Sequence, residues 1–262
     1  MRGSPVDDLG DEVPVPAAVR RVVSLVPSLT ESIAATAPDL LVGATDWCSH
    51  PPGLDVRRVR GTKNPDLGAV VELAPDLVVA NEEENRAADL AELRAAGLAV
   101  WVTAPRTLPA ALESLDRMLR ACGQDRPAWL TAAEAEWREP QRGRRRRAFV
   151  PIWRRPWMAL GRDTFAGDVL ARLGVDNVHA EADERYPKVS LDSARASGAE
   201  LVVLPDEPYA FSPERDLDAF ADWGVPVAFV SGRHLTWYGP SLAAARRVLS
   251  DQLGAARPPG QR

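Results

Sequence analysis

Tryptophan outnumbers each of the other two aromatic types in this 262-residue chain, with eight against five phenylalanines and three tyrosines. Trp47, Trp153, Trp157 and Trp237 all fall just beyond short apolar runs, beside polar groups. Trp47 is near His50, Trp153 and Trp157 flank Arg154, and Trp237 lies between His234 and Tyr238. Aromatic walls carrying a few polar groups suit a flat, largely apolar ligand with polar edges. The duller explanation is that each tryptophan plugs a local core. His50 and His234, two of only three histidines, are candidate ligands of a metal centre through imidazole nitrogen. A lone loop histidine is more often a hydrogen-bonding surface residue. Arg154 and Arg162 could grip a carboxylate or phosphate, or only balance local acids.

Catalytic templates are missing from the sequence. There is no GxxxxGK[ST], no GxGxxG after a strand, no GxSxG and no HExxH. Cys48 and His50 invite a thiol-nucleophile reading, but a spacing of two does not define catalytic geometry. The sequence therefore points away from an enzyme, with no catalytic residue assigned. Cys48 and Cys122 are too far apart and too few to encode a disulfide scaffold or a zinc module.

The net charge of −5 offers no global attraction for nucleic acid. The basic run Arg142–Arg147 reads as a solvated loop in an otherwise acidic chain. The longest apolar runs are strand-sized, so membrane insertion is not expected. The opening residues carry no apolar signal-peptide core and no lipobox cysteine. The expectation is a cytoplasmic protein as the sequence stands, and a periplasmic or cell-surface one if the start is truncated.

The elements that must position these residues alternate strand and helix. Val22–Val26, Leu40–Ala44, Leu77–Ala80 and Val100–Val102 are near-continuous apolar runs of the kind buried in parallel sheets. Ser28-Leu29-Thr30-Glu31 reads as a capping box opening a helix after the first strand. Asn64-Pro65-Asp66 opens another over Leu67–Leu73, with proline in its first turn. The plan then repeats. Leu67, Ala74-Pro75-Asp76-Leu77-Val78-Val79 and Glu83 match Leu191, Gly198-Ala199-Glu200-Leu201-Val202-Val203 and Glu207 at a constant offset of 124. Ala148–Ile152 plays the opening strand of the second half. The fold class is α/β, two Rossmann-like lobes joined by a long connecting helix.

The expected boundaries are an N-terminal extension at 1–18, a first lobe at 19–106 and a connecting helical segment at 107–141. A second lobe at 142–255 and a tail at 256–262 complete the chain. Ligands of open α/β sheets bind beyond the carboxyl ends of the strands. That rule nominates Pro27, Ser28, Trp47, His50 and Asn81 from the first lobe. From the second it nominates Trp153, Arg154, Trp157, Tyr209, His234, Trp237 and Tyr238.

Leu9-Gly10-Asp11 followed by Arg21-Val22-Val23-Ser24-Leu25-Val26-Pro27-Ser28-Leu29-Thr30-Glu31 resembles the opening of the helical-backbone (class III) solute-binding proteins of ABC importers. Ala74-Pro75-Asp76-Leu77-Val78-Val79 is similar to that family's first-lobe strand, and Leu108–Arg138 sits where it has its connecting helix. The likeness runs from about residue 9 to 253, closest in tone to the cobalamin-binding branch. It implies capture of a metal chelate (cobalamin, ferric siderophore or haem-like) in a cleft between two lobes. The chelate would be cargo, with no cofactor of the protein's own. It also implies a monomer and docking on an ABC permease. By position, the family's substrate aromatics correspond to His50, Trp101 and His234. The family docks through one acidic residue per lobe. Glu82, Glu83 and Glu84 stand for the first, whereas the matching place in the second is Thr236. The alternative is a cytosolic enzyme or sensor acting on a corrinoid or tetrapyrrole-like ligand.

Overall fold

A computed structural model describes residues 4–257, so the ends of the expected extension and tail (1–3 and 258–262) lie outside the described residues. The chain divides into two compact units. Unit 1 comprises Met1–Pro105, Pro109–Ala132 and Tyr238–Pro240; unit 2 comprises Arg106–Leu108, Ala133–Trp237 and Ser241–Arg262.

Unit 1 begins with β1 (Val22–Ser24), α1 (Pro27–Ala34), β2 (Leu41–Ala44) and β3 (Arg57–Arg58). A small hairpin of β4 (Arg60–Gly61) and β5 (Asn64–Pro65) leads into α2 (Leu67–Glu72), β6 (Leu77–Asn81), α3 (Ala87–Ala95) and β7 (Val100–Thr103). The main sheet is parallel with order β3-β2-β1-β6-β7. The chain leaves β1 toward β2 and later returns on the other side at β6, so the order reverses between β1 and β6. One face of the sheet packs Val23, Leu25, Val78, Ala80, Val100 and Val102 against Val70 of α2 and Leu90 and Leu93 of α3.

Two helix starts differ from the sequence reading. Pro27, whose fixed φ suits a first helical position, opens α1 directly after Val26, with no side-chain cap. Ser28–Glu31 is therefore inside the helix and forms no capping box. Asp66 caps α2 by accepting from the Ala69 amide, which puts Pro65 in β5, ahead of the helix.

The expected N-terminal extension is built into unit 1. Asp7 accepts the Leu9 and Asp11 amides around Gly10, whose φ of +86° suits glycine. Asp8 N donates to Val102 O at 3.1 Å, and Asp7 Oδ2 accepts from Val102 N at 3.1 Å. The outer edge of β7 is thereby covered. The connecting segment carries two helices, α4 (Leu108–Ala121) and α5 (Ala128–Glu136). Gly123, at φ +75°, and Pro127 lie in the turn that separates them.

Unit 2 continues with β8 (Arg146–Phe149), β9 (Pro151–Arg154), β10 (Trp157–Ala159), α6 (Phe165–Arg172) and β11 (Val175–Asn177). It closes with α7 (Leu191–Ala196), β12 (Leu201–Pro205), α8 (Pro213–Asp216), β13 (Val227–Val230), α9 (Gly232–Thr236) and α10 (Leu242–Gly254). The parallel order is β11-β8-β12-β13, reversing between β8 and β12. β6 and β12 obey the repeat offset residue for residue. The single strand expected at Ala148–Ile152 is instead two: β8 ends at Phe149, and β9 pairs antiparallel with β10. Beyond α10, Arg257 exchanges backbone hydrogen bonds with Val227, and within α10 Gln252 Oε1 accepts from Ser231 N. These contacts cover the outer edge of β13.

Candidate functional site

In unit 1 the segment after β6 is a turn of three consecutive glutamates with a tightly specified backbone. Asn81 Oδ1 accepts from Glu83 N at 2.8 Å and Glu84 N at 3.0 Å. Asn85 Oδ1 accepts from Asn81 N at 2.9 Å, and Asn85 Nδ2 donates to Thr62 O at 2.9 Å. Glu82 N donates to Thr103 O, and Lys63 Nζ donates to Glu83 O. Glu82 and Glu84 are exposed and Glu83 is half-buried. The result is a preorganised acidic projection on rigid backbone.

The loop after β2 carries Trp47, which is 68% exposed. Arg58 holds this loop from below, its guanidinium donating to the carbonyls of Thr45 and Cys48. His50 is half-buried and its Nδ1 lies 3.1 Å from Ser49 Oγ. Cys48 is buried, with the Thr30 and Thr45 hydroxyls on its sulfur at 3.0 and 3.1 Å. Burial pushes its thiol pKa up despite those hydrogen bonds. A protonated, enclosed thiol is a poor nucleophile, so the Cys48–His50 reading is set aside. Cys122 is buried too, its thiol pushed up to about 12 by loss of water.

Several nominated residues turn out to be committed within unit 1. Trp101 is 1% exposed within β7, because its strand alternates between two covered faces. Asn81 and Tyr238 are also buried, and Asn81 Nδ2 donates to Tyr238 Oη at 2.6 Å. Ser28 is buried in α1, and Pro27 beside it is half-buried. Asn81, Trp101 and Tyr238 thus belong to the interior and not to an open ligand surface. Burial pushes the Tyr238 phenol pKa well above its ordinary value.

Unit 2 gathers its aromatics at the place where its strand order reverses. The β9–β10 hairpin brings Trp153 to Tyr209, edge to face at a centroid distance of 5.5 Å. Tyr209 rests on Phe211 at 4.5 Å, and Phe211 stacks on Trp157 at 6.1 Å with planes 7° apart. Trp157 meets Phe220 at 5.8 Å, and Phe220 reaches Phe149 in the sheet core. The series runs from Trp153, 41% exposed, to rings with no exposure at all. Such edge-to-face and offset contacts add stability beyond area burial.

Arg154 is not available as a ligand clamp. Its guanidinium donates to Asp216 Oδ1 and to Arg215 O, and stands 5.7 Å over the Trp157 ring. Asp216 is fully buried and also accepts from Ser212 N at 2.9 Å. A buried carboxylate needs that partner, and sequence reasoning missed it because residue 216 is far from residue 154 in the chain. Arg162 pairs with Asp163 at 3.7 Å on the surface.

Around α9, Ser231 Oγ lies 2.8 Å from His234 Nδ1 and also caps the helix through the His234 amide. Trp237 Nε1 donates to Glu207 Oε2 at 2.9 Å, and Arg233 stands 5.9 Å over the Trp237 ring. Gly232 has to be glycine, since a Cβ there would come within 2.5 Å of Glu207 N. Burial raises the Glu207 pKa against the opposing effect of the Trp237 hydrogen bond. Glu207 also lies at the repeat offset from Glu83, the signal that marks it in the sequence.

His50 lies in unit 1 and His234 in unit 2. Among the described residues, no group of three or more His, Cys, Asp or Glu side chains could hold a metal ion. The basic run is spent locally: Arg142, Arg144 and Arg145 pair with Glu139, Glu200 and Asp176. Arg146 and Arg147 donate to the carbonyls of Leu253 and Ser197.

No family model matches the chain. A vitamin B12-binding protein of Vibrio cholerae serotype O1 is 24% identical over 205 residues, covering 74% of each chain. The crystal structure of the periplasmic vitamin B12 binding protein BtuF of Vibrio cholerae superposes with a TM-score of 0.72. It is 21% identical and covers 91% of this chain and 98% of that one. A periplasmic heme binding protein from Pseudomonas aeruginosa gives a TM-score of 0.69 at 22% identity, covering 92% of this chain and 95% of its own. The chain has the fold of these binding proteins. It is an α/β fold of parallel sheets and helices, as the strand–helix alternation implied. No helix among the described residues is long and apolar enough to cross a membrane.

Proposed function

We propose that this chain is a solute-binding protein that captures a metal chelate of the cobalamin, haem or ferric-siderophore kind. The observation that carries the reading is the aromatic series of unit 2, which presents Trp153 at the surface on a rigid stack of rings. A flat macrocycle gains most from such preorganised aromatic area, because little side-chain entropy is lost on contact. Trp47, His50, Tyr209, His234 and Trp237 are the further candidate contacts. His50 and His234 have imidazoles suited to a chelated metal. The chelate is cargo, and no resident cofactor is assigned.

The names of the relatives support this reading, as does likeness over most of the chain. The same resemblance supports delivery to an ABC permease by a monomer outside the cytoplasm, with the fixed turn at Glu82–Glu84 as the acidic docking group of unit 1. Thr236 supplies no such charge in unit 2.

The test is a titration of the purified protein with aquocobalamin, haemin and a panel of ferric siderophores. Tryptophan fluorescence and absorption after desalting are the readouts. Saturable quenching with a retained chromophore supports the proposal; no retained ligand across the panel overturns it.

A further inference from the structure

The crevice at the carboxyl ends of two strands flanking a reversal of order is the usual ligand seat of an open parallel sheet. In unit 1 the chain's own residues Tyr238–Pro240 lie against the carboxyl ends of β6 and β7 and against α1, the helix that follows β1. These belong to unit 1, although the residues on either side of them belong to unit 2. Gly239 packs so closely that a Cβ would meet Ser32 Oγ at 3.0 Å and Ser28 O at 3.1 Å.

The protons here can be counted. Thr103 Oγ1 donates to Ala80 O at 3.0 Å, so at its 3.0 Å contact with Tyr238 it accepts the phenol proton. Tyr238 Oη in turn accepts from Asn81 Nδ2 at 2.6 Å, while Asn81 Nδ2 also donates to Thr103 O at 2.8 Å. The opposite end of the same planar carboxamide accepts the Glu83 and Glu84 amides. One amide plane therefore joins the phenol to the backbone of the acidic turn.

We infer that Tyr238 is a positioning residue for the Glu82–Glu84 turn, and that Tyr238–Pro240 is a latch whose seating fixes that turn. With the phenol in place, Asn81 has one orientation and the turn has one backbone. With it withdrawn, the carboxamide rotates and the Glu83 and Glu84 amides lose their acceptor. The chain reaches the latch from α9 through Trp237, so whatever shifts α9 pulls on the latch covalently. This holds for any ligand of α9 and does not depend on the chelate reading.

The test is NMR-detected amide exchange on the full chain. In Tyr238→Phe, which keeps the ring, Glu83 and Glu84 should exchange about tenfold faster, as expected for loss of one buried hydrogen bond. Val78 and Val79 of β6, which open with the whole core, should speed only by the smaller factor that the loss of global stability sets. Ser231→Ala, which loosens α9 at its cap, should also speed Glu83 and Glu84, but should add nothing in the Tyr238→Phe background. Unchanged exchange at Glu83 and Glu84 in Tyr238→Phe overturns the positioning role, as does equal acceleration throughout β6. Ser231→Ala with an unaltered turn overturns the latch.

Discussion

At the carboxyl ends of β6 and β7 in unit 1, one buried tyrosine hydroxyl sits in a polar network among Asn81, Thr103 and the backbone. At the strand reversal of unit 2, the β9–β10 hairpin raises aromatic rings, and the outermost, Trp153, keeps 41% of its surface. Both sites sit beside β6 and β12, strands that match residue for residue at the repeat offset. What separates them is the segment that follows. Asn81-Glu82-Glu83-Glu84-Asn85 bonds to itself, whereas Asp206-Glu207-Pro208-Tyr209 offers a ring to the hairpin. A duplicated framework thus yields one closed, acidic end and one open, aromatic end.

The sharpest way to break the contrast is to unseat the base of the aromatic series. Arg154→Ala leaves the Asp216 carboxylate buried without its partner and should cost about 3–5 kcal/mol in chemical denaturation. A loss below about 1 kcal/mol would mean that the pair does not anchor the hairpin. Trp153→Ala tests the open end itself. It should weaken chelate affinity about 30-fold, the scale of an interface hot spot, with little change in melting temperature. Equal affinity for mutant and parent would remove Trp153 from the site. Tyr238→Phe tests the closed end and should cost about 1 kcal/mol of stability, the worth of one buried hydrogen bond. Chelate affinity measured beside stability should then move less than in Trp153→Ala.

The smallest expected effect is the pH response of His179, packed edge to face on Phe149 at 5.7 Å. Burial lowers its pKa from the ordinary value near 6.5. The folded state therefore binds its proton less readily than the unfolded state. Its contribution is complete above the unfolded pKa and is lost as pH falls below about 6.5. His179→Phe should flatten that part of the stability profile, and an unaltered slope would assign the acid response to other groups.

Much of the framework was legible because buried parallel strands write their burial into continuous runs of Val, Leu and Ala. Leu77–Val79 and Leu201–Val203 could be aligned by eye, and both became central strands. The hairpin at Pro151–Ala159 was not legible. Its residues alternate Trp and Arg about a proline, and only the remote Phe211, Asp216 and Phe220 reveal which of them face inward. Residue type alone also could not tell an open tryptophan from a closed one. Trp153 and Trp101 both lie near strand ends, but Trp101 alternates with Val100 and Val102 in a strand covered on both faces. The acidic turn was visible as composition. Its rigidity came from Asn85, Thr62 and Lys63, whose spacing carries no motif.

The two chain termini bear on solubility. A parallel sheet ends in a strand whose outward N–H and C=O groups can recruit a strand from another molecule. In unit 1 the outer strand β7 receives Asp7 and Asp8 from the start of the chain. In unit 2 the outer strand β13 receives Arg257 and Gln252 from its end. Each terminus therefore acts as a selvedge, finishing a border that would otherwise unravel into aggregation. Trimming either one shortens the chain by a dozen residues or fewer, yet exposes a template for sheet-to-sheet growth.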